Sequence, residues 1–257
     1  MIMPQATLFL LMLLVSMLGS GNARAEGAVQ LTMGTEYTSG KYGSQDKTEI
    51  WYVPIMAKYA VGPCLLKVTI PYLRISGPGN TTAHNIPLAN KTTQRTASGP
   101  GDIIAGISYA LYENTASGVM FDLTGNIKFA TADKDQGLGT GENDYAILGD
   151  LSKQVGKWGI FTGLGWKIMG SPPDLNLHDT WYGSTGLTYK IASQTTGGLV
   201  YDYRGEVVDG GAKVSEATVF VSQRISPNSK IQCYFVKGFS SASADMGGGV
   251  ALSLQFN

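Results

Sequence analysis

Long stretches of strictly alternating apolar and polar residues set the tightest limit on how this chain folds. In Val119 to Ala130 (VMFDLTGNIKFA), Phe121, Leu123, Ile127 and Phe129 take one side, and Asp122, Thr124, Asn126 and Lys128 take the other. A period of two places successive side chains on opposite faces of an extended strand, whereas a helix would mix the two sets. The pattern returns in Asp102 to Leu111, Asp144 to Ser152, Trp181 to Ile191, Leu199 to Val207, Glu216 to Ile225 and Val250 to Phe256. Long helical periodicity appears nowhere after the first 25 residues.

That N-terminal segment has its own logic. Leu8 to Leu18 (LFLLMLLVSML) is apolar but too short to span a bilayer, and Ala23-Arg24-Ala25 follows it as an A-x-A cleavage site. Residues 1–25 therefore read as a signal peptide, although its first residues (MIMPQAT) carry no Lys or Arg. Residues 26–257 read as one β domain with no second apolar run of membrane-helix length. Such a chain, exported, either dissolves or enters a membrane as strands. Lys+Arg and Asp+Glu balance at 19 each, so neither nucleic acid nor an anionic membrane surface is indicated as a partner. Cys64 and Cys233, far apart in sequence, are expected as free thiols. The 34 glycines lack a collagen period and fit tight turns and closely approaching backbones.

Cutting the chain at its turn signals predicts strands at 30–39, 48–60, 65–76, 101–113, 118–131, 143–155, 158–170, 180–192, 197–208, 213–225, 230–240 and 247–256. Most have ten or more residues, about what a tilted strand needs to cross hydrocarbon. The connections alternate in length. Those at Gly62-Pro63, Asn114 to Ser117, Gly156-Lys157, Ser193 to Thr196 and Ser226 to Ser229 are short, while Gly77 to Pro100, Ala132 to Glu142, Ser171 to Asp179 and Ser241 to Met246 are longer. Gly40 to Lys47 and Asp209 to Ala212 are of modest length. Short turns at one end and longer loops at the other define an all-β, transmembrane, antiparallel up-and-down β-barrel of about twelve strands, placed in the outer membrane of a Gram-negative cell. A soluble sandwich would share the alternation but not the strand length, strand number and loop asymmetry.

The polar phase then faces the lumen. A charge turned toward lipid at mid-depth costs about 2–4 kcal/mol, so these positions need water or one another. The candidate pore-lining residues are Asp122, Lys128, Asp144, Asp150, Lys167, Lys190, Asp202, Arg204, Glu206, Glu216 and Arg224, whose mixed sign points to paired charges bridging the walls. Tyr37, Trp51, Tyr52, Tyr59, Tyr72, Tyr109, Tyr145, Trp158 and Trp181 fall near strand ends, as two interfacial girdles require. The longest loop, Gly77 to Pro100, is the candidate constriction.

No catalytic, metal or cofactor site emerges. Gly137-Leu138-Gly139-Thr140-Gly141 imitates a phosphate loop, but no Lys follows and it opens a strand, so it reads as a tight rim loop. His84 and His178 both fall in loops, with no Ser at a defensible partner's spacing.

Five blocks, "GPGDIIAGISYAL", "GLGTGENDYAI", "YDYRGEVVDGG" followed by Glu216, "SQRISPNSKIQCYFVKGFS" and "ASADMGGGVALSLQF", together resemble the family of outer-membrane transporters named for the meta pathway of phenol degradation. The similarity runs from about Gly99 to the C-terminus, and more loosely from Leu31. It implies a signal peptide, an outer-membrane barrel and uptake of aromatic or other hydrophobic compounds. The chain departs from the family in ending on Asn257 after Phe256, where an aromatic terminus is common, and in having Ala244 where Pro is usual.

The functional expectation is a non-enzymatic channel for small, hydrophobic or aromatic solutes. Its partners would be outer-membrane lipid, the barrel-assembly machinery and the solute. A structural or adhesive barrel without transport is the alternative, and an outer-membrane lipid hydrolase a third.

Overall fold

The computed structural model describes residues 27–77, 95–173 and 175–256. The segment 1–25 read as a signal peptide lies outside these residues, as does 78–94 of the loop read as a constriction. Thirteen strands form one antiparallel sheet: β1 (Val29–Gly40), β2 (Thr48–Val61), β3 (Cys64–Gly77), β4 (Arg95–Pro100), β5 (Ile103–Asn114), β6 (Val119–Phe129), β7 (Asp144–Val155), β8 (Trp158–Ile168), β9 (Thr180–Lys190), β10 (Thr195–Arg204), β11 (Val214–Ser226), β12 (Ser229–Gly238) and β13 (Met246–Phe256). Neighbours in sequence pair in order, β2 with β3 and β3 with β5 included. The ring closes where β1 meets β13, with Val29 opposite Phe256 and Ser39 opposite Met246. Closure matters because an unpaired strand edge has no water to bond in hydrocarbon. Among the described residues no helix is long and apolar enough to cross a membrane, and the crossing elements are strands.

Twelve strands make the wall, and β4 is additional. Both β4 and β5 pair with β3, but Tyr72 opposes Pro100 while Thr69 opposes Ile104. Three residues, Gly101 to Ile103, thus face two on β3, which is a β-bulge. Gly101 N–H donates to Pro71 O at 2.8 Å across it. The extra residue flips the phase. Ala97, Gly99 and Gly101 are buried, and so is Asp102, after which Ser108 continues the inward set at even numbers.

The outer face is an apolar belt. Ile55, Ile70, Ile107, Ile160, Leu164, Val219 and Leu252 all stand exposed on it, which only a lipid environment accommodates on this scale. Trp51, Tyr72, Tyr145 and Trp181 ring the long-loop end, and Tyr59, Tyr109 and Trp158 the short-turn end. Tyr37 joins the upper ring, with its ring 5.1 Å from that of Trp51 and its hydroxyl donating to Glu49. Tyr52 does not belong there. It is 2% exposed and faces inward, because β2 is apolar on both faces and its phase runs Ile50, Tyr52, Met56 toward the lumen.

Inside, an apolar cluster links Ile50, Tyr52, Leu73, Leu148, Phe161, Val200, Phe220, Tyr234 and Ala251. Glycines make its rings fit. A Cβ on Gly186 would meet the Phe161 ring at 2.5 Å, and one on Gly198 would meet Phe220 at 2.5 Å. These rings occupy the space that a side chain on the neighbouring strand would take. Both cysteines are free, and Cys233 points outward.

Leu164, 64% exposed near the middle of β8, gives a direct check on which face meets lipid. Leu164→Arg is expected to cost about 2–4 kcal/mol in urea unfolding from lipid vesicles. The folded barrel is also expected to migrate faster in a cold detergent gel than after boiling.

Candidate functional site

The lumen collects the polar phase. Of the residues singled out above, Asp122, Lys128, Asp144, Asp150, Lys167, Asp202, Arg204 and Glu216 face inward and are buried, and Arg224 is inward and half-buried. Lys190 ends β9 at the short-turn rim and is exposed. Glu206 lies beyond β10. Gly205 N–H donates to Trp181 O at 2.9 Å, the ladder ends, and Val207 turns in to pack on Met169 and Leu177, leaving Glu206 exposed.

At the long-loop end one charged network joins Asp102, just before β5, to β6, β7 and β8. Lys128 Nζ lies 2.8 Å from Asp102 Oδ2 and 3.6 Å from Asp144 Oδ2, while Lys167 Nζ lies 2.9 Å from the same Asp144 oxygen. Asp102 Oδ1 accepts from Ala132 N–H at 3.0 Å, and Asp144 Oδ1 accepts from Gly170 N–H at 3.1 Å. Two carboxylates and two ammonium groups out of water are tolerable only because each is so partnered. Asp102 was not among the sequence candidates. Its place at the start of a strand hid the bulge that aims it inward.

The same network anchors the Gly-rich stretch. Lys128 Nζ donates to Glu142 O at 2.9 Å, and Gly137 to Thr140 are all buried, so this segment is tucked into the mouth and is no mere rim loop. Leu138 is 1% exposed within the interior cluster, and a Cβ on Gly99 would come within 2.9 Å of it. The tip is self-organised. Gln136 N–H, its side-chain amide and Asp135 N–H all donate to the Asp133 carboxylate, which holds that group below the usual carboxylate range.

Two acid pairs stand directly across the ladder, Asp122 opposite Asp150 and Asp202 opposite Glu216, with the buried Arg204 near Glu216. Glu216 Oε1 accepts from Ala244 N–H at 3.1 Å, and Tyr234 donates to buried Glu36 Oε2 at 2.5 Å. Glu36, Lys58 and Lys67 are further buried charges that the sequence candidates omitted. Lys58 and Lys67 sit on strands whose inward phase is mostly apolar, where alternation is faint, whereas Glu36 follows the clear inward set Gln30, Thr32 and Thr38 of β1.

A second concavity of about 860 Å³ lies on the outer face, where the loops after β8 and β10 lean over Trp166, Trp181 and Tyr203. His178 Nε2 and Asp209 Oδ1 are 2.9 Å apart on its rim. Its aromatic wall continues the girdle.

A closed antiparallel wall, apolar outside and polar within, defines a transmembrane β-barrel of the outer-membrane type. The chain belongs to the family described as "Putative MetA-pathway of phenol degradation", whose pattern matches residues 28–256. Among solved structures it is similar to the KdgM porin, with a TM-score of 0.57 at 9% identity over 89% of this chain and 99% of that one. The NanC porin gives 0.56 at 9% identity over 88% and 99%. The translocator domain of the autotransporter NalP from Neisseria meningitidis gives 0.52 at 11% over 97% and 95%. At such identities the likeness is one of fold. None of the curated proteins matches the chain in sequence.

Lys128→Met removes the cation between Asp102 and Asp144. Breaking a buried pair from one side costs about 3–5 kcal/mol, and equilibrium unfolding in neutral detergent is expected to register a loss of that order.

Proposed function

We propose that the chain is an outer-membrane channel for small hydrophobic or aromatic compounds, with the lumen as its path and no catalysis of its own. The observation that carries this reading is the interior: charged and hydroxyl side chains run its whole height inside a wall that is apolar on the outside. A barrel held only for its shape gains nothing from so many buried charges, since each desolvated ion costs several kcal/mol, roughly, before it is paired. Family membership and the likeness of fold to the KdgM and NanC porins support the same reading. Asp122, Asp150, Asp202, Glu216 and the Lys128 network would meet the solute, and the tucked segment around Leu138 would narrow the entrance.

Export by the segment 1–25 and insertion by the barrel-assembly machinery belong to this proposal. The last strand presents Val250, Leu252, Leu254 and Phe256 outward, as a terminal strand read at the lipid face requires. Lipid around the belt and a small solute inside are its partners, and nucleic acid has no role.

One observation favours a sealed structural barrel instead. Ile50, Leu73, Val200 and Thr218 are 0% exposed on the lumenal side. Planar-bilayer recording separates the two. Discrete conductance steps from the purified, refolded barrel are the expected outcome, and a silent bilayer with correctly folded protein would reject transport.

A further inference from the structure

On the lipid-facing side of the wall, at the long-loop end, three rings floor the hollow of about 860 Å³. Trp166 on β8 stands directly across the ladder from Trp181 on β9, edge-on with ring centroids 4.8 Å apart, and Tyr203 on β10 completes the floor. Trp181 and Tyr203 keep 55% and 40% of their surface exposed. A girdle accounts for rings at this height, but not for walls around them.

The walls are built by side-chain packing. After β8 and β10 the two connections lock together: Met169, Leu177 and Val207 form an apolar cluster, and His178 N–H donates to Val207 O at 2.8 Å. Met169 N–H donates to Asp179 Oδ1 at 3.0 Å, and His178 Nε2 lies 2.9 Å from Asp209 Oδ1. Ser240 and Ser241, from the connection after β12, close the far side. The volume falls within the span of small-molecule sites, about 300–1,000 Å³.

The rim chemistry narrows the occupant. Asp179, Glu206 and Asp209 bring three carboxylates against the single ammonium of Lys213, a balance that repels phosphate and carboxylate groups. Lys213 Nζ itself lies 5.9 Å from the centre of the Tyr203 ring, so the cation position over that ring is taken. A wholly apolar molecule would leave the carboxylates and serines nothing to bond. A sugar suits both surfaces, because its hydroxyls donate to carboxylates while its C–H faces lie against the negative faces of aromatic rings. The hollow also adjoins the belt. Leu164, two residues before Trp166 and on the same face of β8, stands exposed to hydrocarbon, so an occupant with acyl chains is met there by the bilayer.

We infer that this hollow is a binding site for the uncharged saccharide headgroup of a glycolipid in the outer leaflet. One sugar ring rests on Trp181 beside Tyr203, its hydroxyls donate to Glu206 and Asp209, and the acyl chains descend past Leu164. The site lies outside the lumen and does not depend on the channel reading.

The refolded barrel, reconstituted in phosphatidylcholine nanodiscs with equal fractions of diglucosyl diacylglycerol, diacylglycerol and phosphatidylglycerol of one acyl length, tests it. Native mass spectrometry after release into a polyoxyethylene detergent reads which lipid stays bound. The diglucosyl lipid is expected to be retained at least about tenfold over the other two. Trp181→Leu should remove that preference and Glu206→Gln weaken it, whereas Trp51→Leu, in the girdle but away from the hollow, leaves it intact. Should Trp181→Leu lose the folded gel mobility, Glu206→Gln, an exposed position beyond the strand, carries the test alone. Equal retention of the three lipids, preference for phosphatidylglycerol, or a preference unaltered by Trp181→Leu and Glu206→Gln overturns the site. So does full displacement of the lipid by free maltose at matched concentration, which would reassign the hollow to soluble sugars.

Discussion

Hydrocarbon offers the backbone no hydrogen bonds, and the pairing of β1 with β13 is the contact through which this chain meets that constraint. Once the ring is closed, every strand of the twelve-stranded wall has two neighbours and two faces, one to lipid and one to the lumen. The even strand number of the wall, the outward apolar belt and the girdles of Trp and Tyr follow from that requirement. The bulge at Gly101–Ile103 shows how local the exceptions are. One additional residue turns a whole phase, yet Gly101 N–H still finds Pro71 O and the ladder resumes on either side.

The interior answers a different demand, that of holding ions away from bulk water. Near the long loops the answer is neutralisation, with Lys128 and Lys167 interleaved between Asp102 and Asp144. Lower down it is segregation, with acids beside acids on β6 and β7 and bases beside bases on β2 and β3. The first arrangement stiffens a mouth and fixes the inward tuck of the Gly137 to Thr140 segment.

Much of this was legible in the sequence, and the failures have physical causes. Strand positions came within a few residues because alternation between lipid and lumen is a one-dimensional signal. β4 was missed because Arg95 to Pro100 (RTASGP) has the composition of a loop and gains its ladder only from β3. Glu206 was assigned to the lumen by counting in twos past Gly205, where the strand has already ended. Tyr52 was placed in a girdle because β2 gives no polar phase to count from. Paired charges occur at the mouth, but between neighbouring strands along one stretch of wall and not as bridges across the lumen, and which sign stands beside which depends on register between strands. No periodicity within a single strand carries that information.

The rings seated against bare glycines tie distant positions of the chain together. Phe161 with Gly186, and Phe220 with Gly198, each divide one fixed volume between two strands. In such a pair, growth on one side is sterically admissible only with shrinkage on the other. Each pair therefore drifts as a couple, and divergent relatives should exchange bulk between the two strands while the barrel keeps its bore.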